Sequence, residues 1–148
     1  MSANSNPVVL ALEQALADTY ALALKTQTYH WNVTSPNFYS LHKLFEEQYD
    51  DAHEAVDDLA ERIRALGAPA PGGLRAFLET TRISDAKETM EAKEMLPDLT
   101  ASHEVLAGTL KHGIAAAEQA GDTATADMLT ARLTAHDKHA WMLRSSQG

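Results

Sequence analysis

The chain of 148 residues contains no cysteine. That absence excludes a disulfide framework, a thiolate zinc site and a cysteine nucleophile, and leaves carboxylate oxygen and imidazole nitrogen as the metal ligands on offer. Runs of alternating β-branched residues are also missing, so nothing in the pattern asks for strands. No internal repeat or low-complexity tract occurs. Basic residues are absent where a nucleic-acid arm would need them: there is none in the first 24 residues, and Ser145-Ser146-Gln147-Gly148 at the end carry no charged side chain. With a formal net charge of −9 the chain repels phosphate backbones at long range, and DNA is not an expected partner. Met1 to Pro7 have no charged side chain, and the apolar stretch that follows is interrupted by Glu13 and Asp18. This suits neither a signal peptide nor a membrane span, so a cytoplasmic protein is expected.

What is present reads as one domain, residues 1–148 with a short N-terminal tail, large enough to bury its own core. Val9, Leu12, Leu16, Tyr20, Ala23, Leu24, Gln27 and Trp31 recur at helical spacing and predict a first helix from Pro7 to about Val33. Turn-forming residues from Asn32 to Asn37, with Pro36 disfavouring helix at Ser35, end it. A second helix runs from about Phe38 to Leu66, with Leu41, Phe45, Ala52, Val56, Leu59, Ile63 and Leu66 as its core stripe and Gly67 as its stop. Leu74 to Leu78 predicts a short helix in the crossover. Asp85-Ala-Lys-Glu88 has capping-box spacing and places the start of a third helix nearby, although Pro97 moves its regular part to about Met95. Gly121 ends that helix, and Asp122 caps a fourth carrying Met128, Leu129, Leu133, Trp141 and Leu143. The expected fold is all-α, a four-helix bundle with a short helix in the crossover between helices two and three.

The second helix carries two polar pairs, His42 with Glu46 and Asp57 with Glu61. At 100° per residue the four side chains project at roughly 0°, 40°, 60° and 100°, one narrow stripe. The pairs lie about 22 Å apart along the axis, too far for one ion with bonds of about 2 Å. Neither pair is a complete site. An antiparallel two-fold copy of the helix would bring His42/Glu46 of one chain to Asp57/Glu61 of the other and create two identical sites. An i, i+4 pair alone is equally a solvated polar face. His30 stands 12 positions before His42, where a helix-turn-helix folds it back beside the second helix. No Glu-x-x-His occurs anywhere, which argues against an intrachain di-iron core. The nearest approach to it is the single Asp50-x-x-His53, whose imidazole projects near the same stripe as a group for the dimer axis.

The residues His30-Trp31-Asn32-Val33, Asn37-Phe38-Tyr39-Ser40-Leu41-His42 and Asp57-Asp58-Leu59-Ala60-Glu61-Arg62 closely resemble those of the Dps family of ferritin-like mini-cages. The resemblance extends over essentially the whole chain, including Gly121-Asp122 and Asp137 to Met142. It implies a ferritin-like bundle assembled as a dodecamer of tetrahedral symmetry that oxidises Fe(II), usually with hydrogen peroxide, and stores ferric mineral inside. By resemblance His30 and His42 are the imidazole ligands of one chain, Asp57 and Glu61 the carboxylates across the two-fold, and Glu61 the bridging one. Glu46 stands where many members have Asp, and its longer arm can reach a metal directly or through water. Trp31 would lie near the centre, where taking up an oxidising equivalent competes with plain packing. Asp122 and Asp127 match acidic positions of the family's three-fold iron pores, and for Asp122 the helix-cap reading competes. Zinc or cobalt could occupy the same mixed N/O ligands.

His103, His112, His136 and His139 follow no ligand spacing and are read as structural or surface residues, with the i, i+3 pair His136/His139 a conceivable surface metal grip. Many Dps proteins bind DNA through lysine-rich tails, which this chain lacks. The two rivals to an iron-storage ferroxidase are a DNA-compacting nucleoid protein and a non-enzymatic helical assembly.

Overall fold

In the computed structural model, which describes residues 5–147, Asn6 starts the first helix: its side chain accepts the Val8 backbone N–H, and Pro7 takes a first-turn position where its missing N–H costs nothing. The helices are α1 Pro7–Asn32, α2 Phe38–Ala65, α3 Leu74–Thr80, α4 Ala92–Gln119 and α5 Thr123–Ser145. No strand occurs among the described residues. The chain forms two helical hairpins, α1 with α2 and α4 with α5, joined face to face mainly through α1 and α4. The short α3 lies against α1, in the crossover where the apolar cluster predicted it.

Leu12, Leu16, Phe45, Leu59, Ile63, Leu99, Leu106, Leu110, Leu129 and Leu143 meet in one core. Each such side chain contributes about 1.5–3 kcal/mol on burial. Val56 and Leu66, counted in the core stripe of α2 from the sequence, sit at its margin and are only partly buried. α1 has the length and apolarity of a candidate membrane span, but 61% of its most apolar window is buried inside the bundle, as befits a core helix. Gly121, at φ 72°, takes the left-handed turn after α4; the Asp122 N–H then returns to the Ala117 carbonyl at 2.8 Å and re-aims the chain into α5.

One boundary differs from the sequence reading. Asp85-Ala-Lys-Glu88 caps nothing; α4 begins at Ala92, where Glu91 and Glu94 form the reciprocal capping box, and Pro97 lies inside the helix. The reason is tertiary. Buried Asp18 of α1 accepts the Thr81 hydroxyl at 2.8 Å and the Arg82 N–H at 2.7 Å. Buried Lys25 donates to Ser84 and pairs with Asp98 at 3.1 Å, and the Tyr29 hydroxyl accepts the Lys87 N–H. These bonds hold residues 81–87 against α1 without helix, and a local capping preference of about 1 kcal/mol does not outweigh them. Burial and the hydrogen bond to Asp98 push the Tyr29 phenol up to about 12, so it remains a neutral donor.

Candidate metal centre

The α1–α2 turn folds the end of one helix against the start of the next. The Val33 N–H continues the helical bond to the Tyr29 carbonyl, and the Ser35 side chain accepts the Asn37 N–H at 2.8 Å. His30 and His42 are thereby brought ring to ring, with centroids 3.7 Å apart and planes 13° from parallel. Their hydrogen bonds are reciprocal. His30 Nδ1 lies 2.7 Å from the His42 carbonyl and His42 Nδ1 lies 2.8 Å from the His30 carbonyl. A carbonyl only accepts, so both Nδ1 atoms carry the proton and both Nε2 atoms keep a lone pair. This is how a metal-binding histidine is ordinarily oriented. The bonds also satisfy an end-of-helix carbonyl of α1.

Glu46, one turn beyond His42, completes a cluster: one ligand atom from each of His30, His42 and Glu46 lies within 4.8 Å of the other two. His30 Nε2 is 4.0 Å from Glu46 Oε1, and Lys43 reaches the other oxygen at 3.8 Å. Phe38 stacks on His42 at 4.9 Å, and Tyr49 meets His30 edge-on at 5.2 Å. His30 is buried and His42 and Glu46 are half-exposed, so the cluster opens to one side. Two imidazoles and one carboxylate leave positions for further ligands, as an oxidation site for a divalent ion requires. The sequence offered no signal for Phe38 or Tyr49 as the walls of this cluster.

Asp57 and Glu61 do not join it. Both are exposed farther along α2, where Asp57 with His53, Glu54 and Asp58 lines a shallow depression of about 480 Å³. Within one chain Asp57 and Glu61 thus stand apart from the His30/His42/Glu46 cluster. Trp31 points outward, 59% exposed. Asp122 is the N-cap of α5, accepting from the Thr125 N–H at 3.0 Å and the Thr125 hydroxyl at 2.6 Å while pairing with Arg62 at 3.0 Å. The Thr125 hydroxyl, with its N–H and the Arg62 guanidinium, holds the Asp122 carboxyl below the usual range against the opposing effect of burial. Asp127 is exposed on the same helix.

The other histidines give a different picture. His136 is no surface metal grip: it is buried and enclosed in a network with His103, His139, Asp51 and Arg132. Arg132 donates to His136 Nε2 at 3.0 Å and to both oxygens of Asp51 at 2.8 and 3.1 Å. A guanidinium only donates, so His136 carries its proton on Nδ1 and gives it to His103 Nδ1 at 3.0 Å. His139 Nε2 donates to Asp51 at 2.9 Å. Burial, then the neighbouring His139 and Arg132, pushes His103 down to about 3; burial and the neighbouring His103 and Arg132 push His136 well down as well. Burial works against ionising Asp51, yet the hydrogen bonds from His139 and Arg132 outweigh it and hold that carboxyl well below the usual range.

The family model for the ferritin-like domain matches residues 9–147. A DNA protection during starvation protein of Brevibacillus brevis is 38% identical over 138 residues, covering 93% of each chain. This chain belongs to the Dps family. The crystal structure of Dps from Staphylococcus aureus superposes with a TM-score of 0.94 at 36% identity, covering 99% of both chains. A Dps structure from Vibrio cholerae O1, described as a member of a broad superfamily of ferritin-like diiron-carboxylate proteins, matches with a TM-score of 0.90 at 26% identity over 95% of this chain and 89% of that one. A ferritin-like Dps fold is therefore the setting of the His30/His42/Glu46 cluster.

Proposed function

We propose that this Dps protein is a cytoplasmic iron-storage ferroxidase whose oxidation sites are shared between two chains. His30, His42 and Glu46 supply one half of each site, and Asp57 and Glu61 of a two-fold mate supply the other. The observation that carries this reading is the pair of imidazoles locked with both Nε2 lone pairs directed away from the backbone and beside a carboxylate. The description of the Vibrio cholerae relative as a member of the ferritin-like diiron-carboxylate proteins supports iron as the substrate. Each Fe(II) gives up one electron, and the O–O bond of hydrogen peroxide takes two and leaves as two hydroxides, so two ions are oxidised per peroxide. Carboxylates favour the product because they stabilise the higher charge of Fe(III) more strongly. The ferric ions then pass into the cavity of a dodecameric cage as mineral, with Asp122 and Asp127 drawing Fe(II) in. Zinc or cobalt would compete for the same ligands, since N/O donors do not select iron by affinity.

The DNA-compacting reading is opposed by a net charge of −9 on every copy. A supercoiled plasmid mixed with the protein at neutral pH and moderate salt should run unretarded in a gel. The oxidation reading is tested by adding peroxide to an anaerobic Fe(II)-loaded sample and following ferric absorbance. Oxidation much faster than in buffer, with the product retained by the protein through gel filtration, supports it; oxidation at the buffer rate would leave only a helical assembly.

A further inference from the structure

The polar stripe of α2 is symmetric about a point between residues 51 and 52. Positions equally far from that point carry ligand chemistry in pairs: His42 with Glu61, Glu46 with Asp57 and, innermost, Asp50 with His53. Their azimuths share one centre as well, near 50° on a scale with His42 at about 0°. In an antiparallel two-fold pairing each position meets its mirror on the other chain. The register that sets His42 opposite Glu61 of the partner subunit therefore also sets His53 opposite Asp50 of the partner subunit.

Resting on the shared-site reading above, we propose that the two-fold axis of the dimer holds a further metal site, built from His53 and Asp50 of both chains and taking one Zn²⁺-type divalent cation. His53 lies one and a half positions from the midpoint, about 2 Å along the helix. The two copies are then offset by only about 4–5 Å along axes that pack about 8–10 Å apart. Two imidazoles facing each other across that gap span a single ion with bonds of about 2.0–2.1 Å, and two carboxylates bring the set to N₂O₂, the four-coordinate arrangement zinc prefers. His53 and Asp50 are both exposed on the single chain, so a mate can reach them. The His53 ring is also held from one side: Tyr49 of α2 meets it edge-on at 6.0 Å and Tyr20 of α1 at 6.5 Å, and Tyr20 is itself stacked on Phe77 of α3 at 4.7 Å. Glu54, Asp57 and Asp58 line the same depression and add cation attraction. The axial ion would sit about 11 Å from each iron site, close enough to clamp the dimer that forms them and too far to share their ligands.

The test starts from metal-free protein and uses Zn²⁺ in equilibrium dialysis and Co²⁺ as a visible-absorbing substitute. The wild type should bind one more Zn²⁺ per two chains than His53→Ala or Asp50→Asn, and both variants should lose the intense absorption of tetrahedral Co²⁺ while still oxidising Fe(II). Unchanged zinc stoichiometry and Co²⁺ spectrum in His53→Ala would overturn the axial site. A second variant separates this from the reading beneath it. His53→Cys puts a unique thiol into a chain that has none. Efficient cross-linking of the introduced thiols of two chains by a short bis-maleimide, with no metal lost in His53→Ala, would refute the axial ion and leave the shared iron sites standing. No cross-linking would refute the register, and with it both proposals.

Discussion

The protein holds two histidine clusters that look alike in composition and differ in what their nitrogens do. At the α1–α2 corner, His30 and His42 spend one nitrogen each on a backbone carbonyl and keep the other as a lone pair beside Glu46. Between α2, α4 and α5, the lone pair of His136 is taken by Arg132, that of His103 Nδ1 by His136, and the His139 Nε2 proton by Asp51. The first cluster is half-open and has an acceptor set that a cation would satisfy. The second is buried and already contains a cation, the guanidinium, while His139 Nδ1 and His103 Nε2 within it find no hydrogen-bond partner among the described residues. Counting imidazoles does not find a candidate metal site; a ring nitrogen that opens toward solvent beside a carboxylate does.

Paired substitutions give the largest contrast. His42→Ala should cut Fe(II) oxidation by at least one to two orders of magnitude, since ligand loss exceeds the 10–100-fold cost of losing a partner behind a ligand. Its melting temperature should barely move, because His42 is half-exposed. His136→Ala should do the reverse. It leaves His103 without its hydrogen-bond partner and takes one of Arg132's partners away in a buried place, at a cost of about 2–4 kcal/mol read from the denaturation midpoint, with oxidation retained while the protein is folded. If His136→Ala abolished oxidation in folded protein, the buried cluster would belong to the site and the contrast would fail.

A pH effect follows, smaller and graded. His103 and His136 titrate near 6.5 when unfolded and well below that when folded, His103 at about 3. The unfolded chain therefore takes up more protons below pH 6.5. The stability these two groups contribute is fully present above that pH and is lost as pH falls toward the folded values. Asp51 does not enter this window, because its folded shift only matters below the ordinary carboxylate range. The urea midpoint should fall from pH 7.5 to pH 5, and replacing both histidines by Leu should flatten that difference. A wild-type midpoint that stays level would show that the buried imidazoles are not held neutral.

Smaller again is the effect of the acidic residues at the start of α5. Asp127→Asn leaves the cap intact and should slow oxidation only when Fe(II) uptake is limiting. Asp122→Asn keeps a capping side chain but removes the ion pair with Arg62, and should add a stability loss of up to about 1 kcal/mol. Unchanged rates in both variants would leave Asp122 as a cap and salt-bridge partner alone.

The sequence made the helices legible because their apolar periodicity is local: α1 and α2 end within one residue of the expected positions, and α3 lies where three apolar residues cluster. It also aligned His42 and Glu46 on one face, which is a property of helix geometry alone. The non-helical segment at 81–87 was not legible, since Asp18, Lys25 and Tyr29 reach it across about 60 positions of chain. Nor was the buried cluster, whose His103 and His136 stand 33 positions apart on different helices. Tertiary hydrogen bonds carry no spacing signature, and they decide which histidines keep a free lone pair.

The claim that each oxidation site joins halves from two chains is tested most directly by complementation. His42→Ala damages the imidazole half and Asp57→Ala the carboxylate half, so assemblies of either variant alone should oxidise iron slowly. Unfolding and reassembling an equal mixture makes about half of the dimers mixed, and each mixed dimer has one site with two intact halves. About a quarter of all sites should recover, and peroxide-driven Fe(II) oxidation should rise to roughly a quarter of the wild-type rate. Verified mixed assemblies with no more activity than the parents would contradict the shared site.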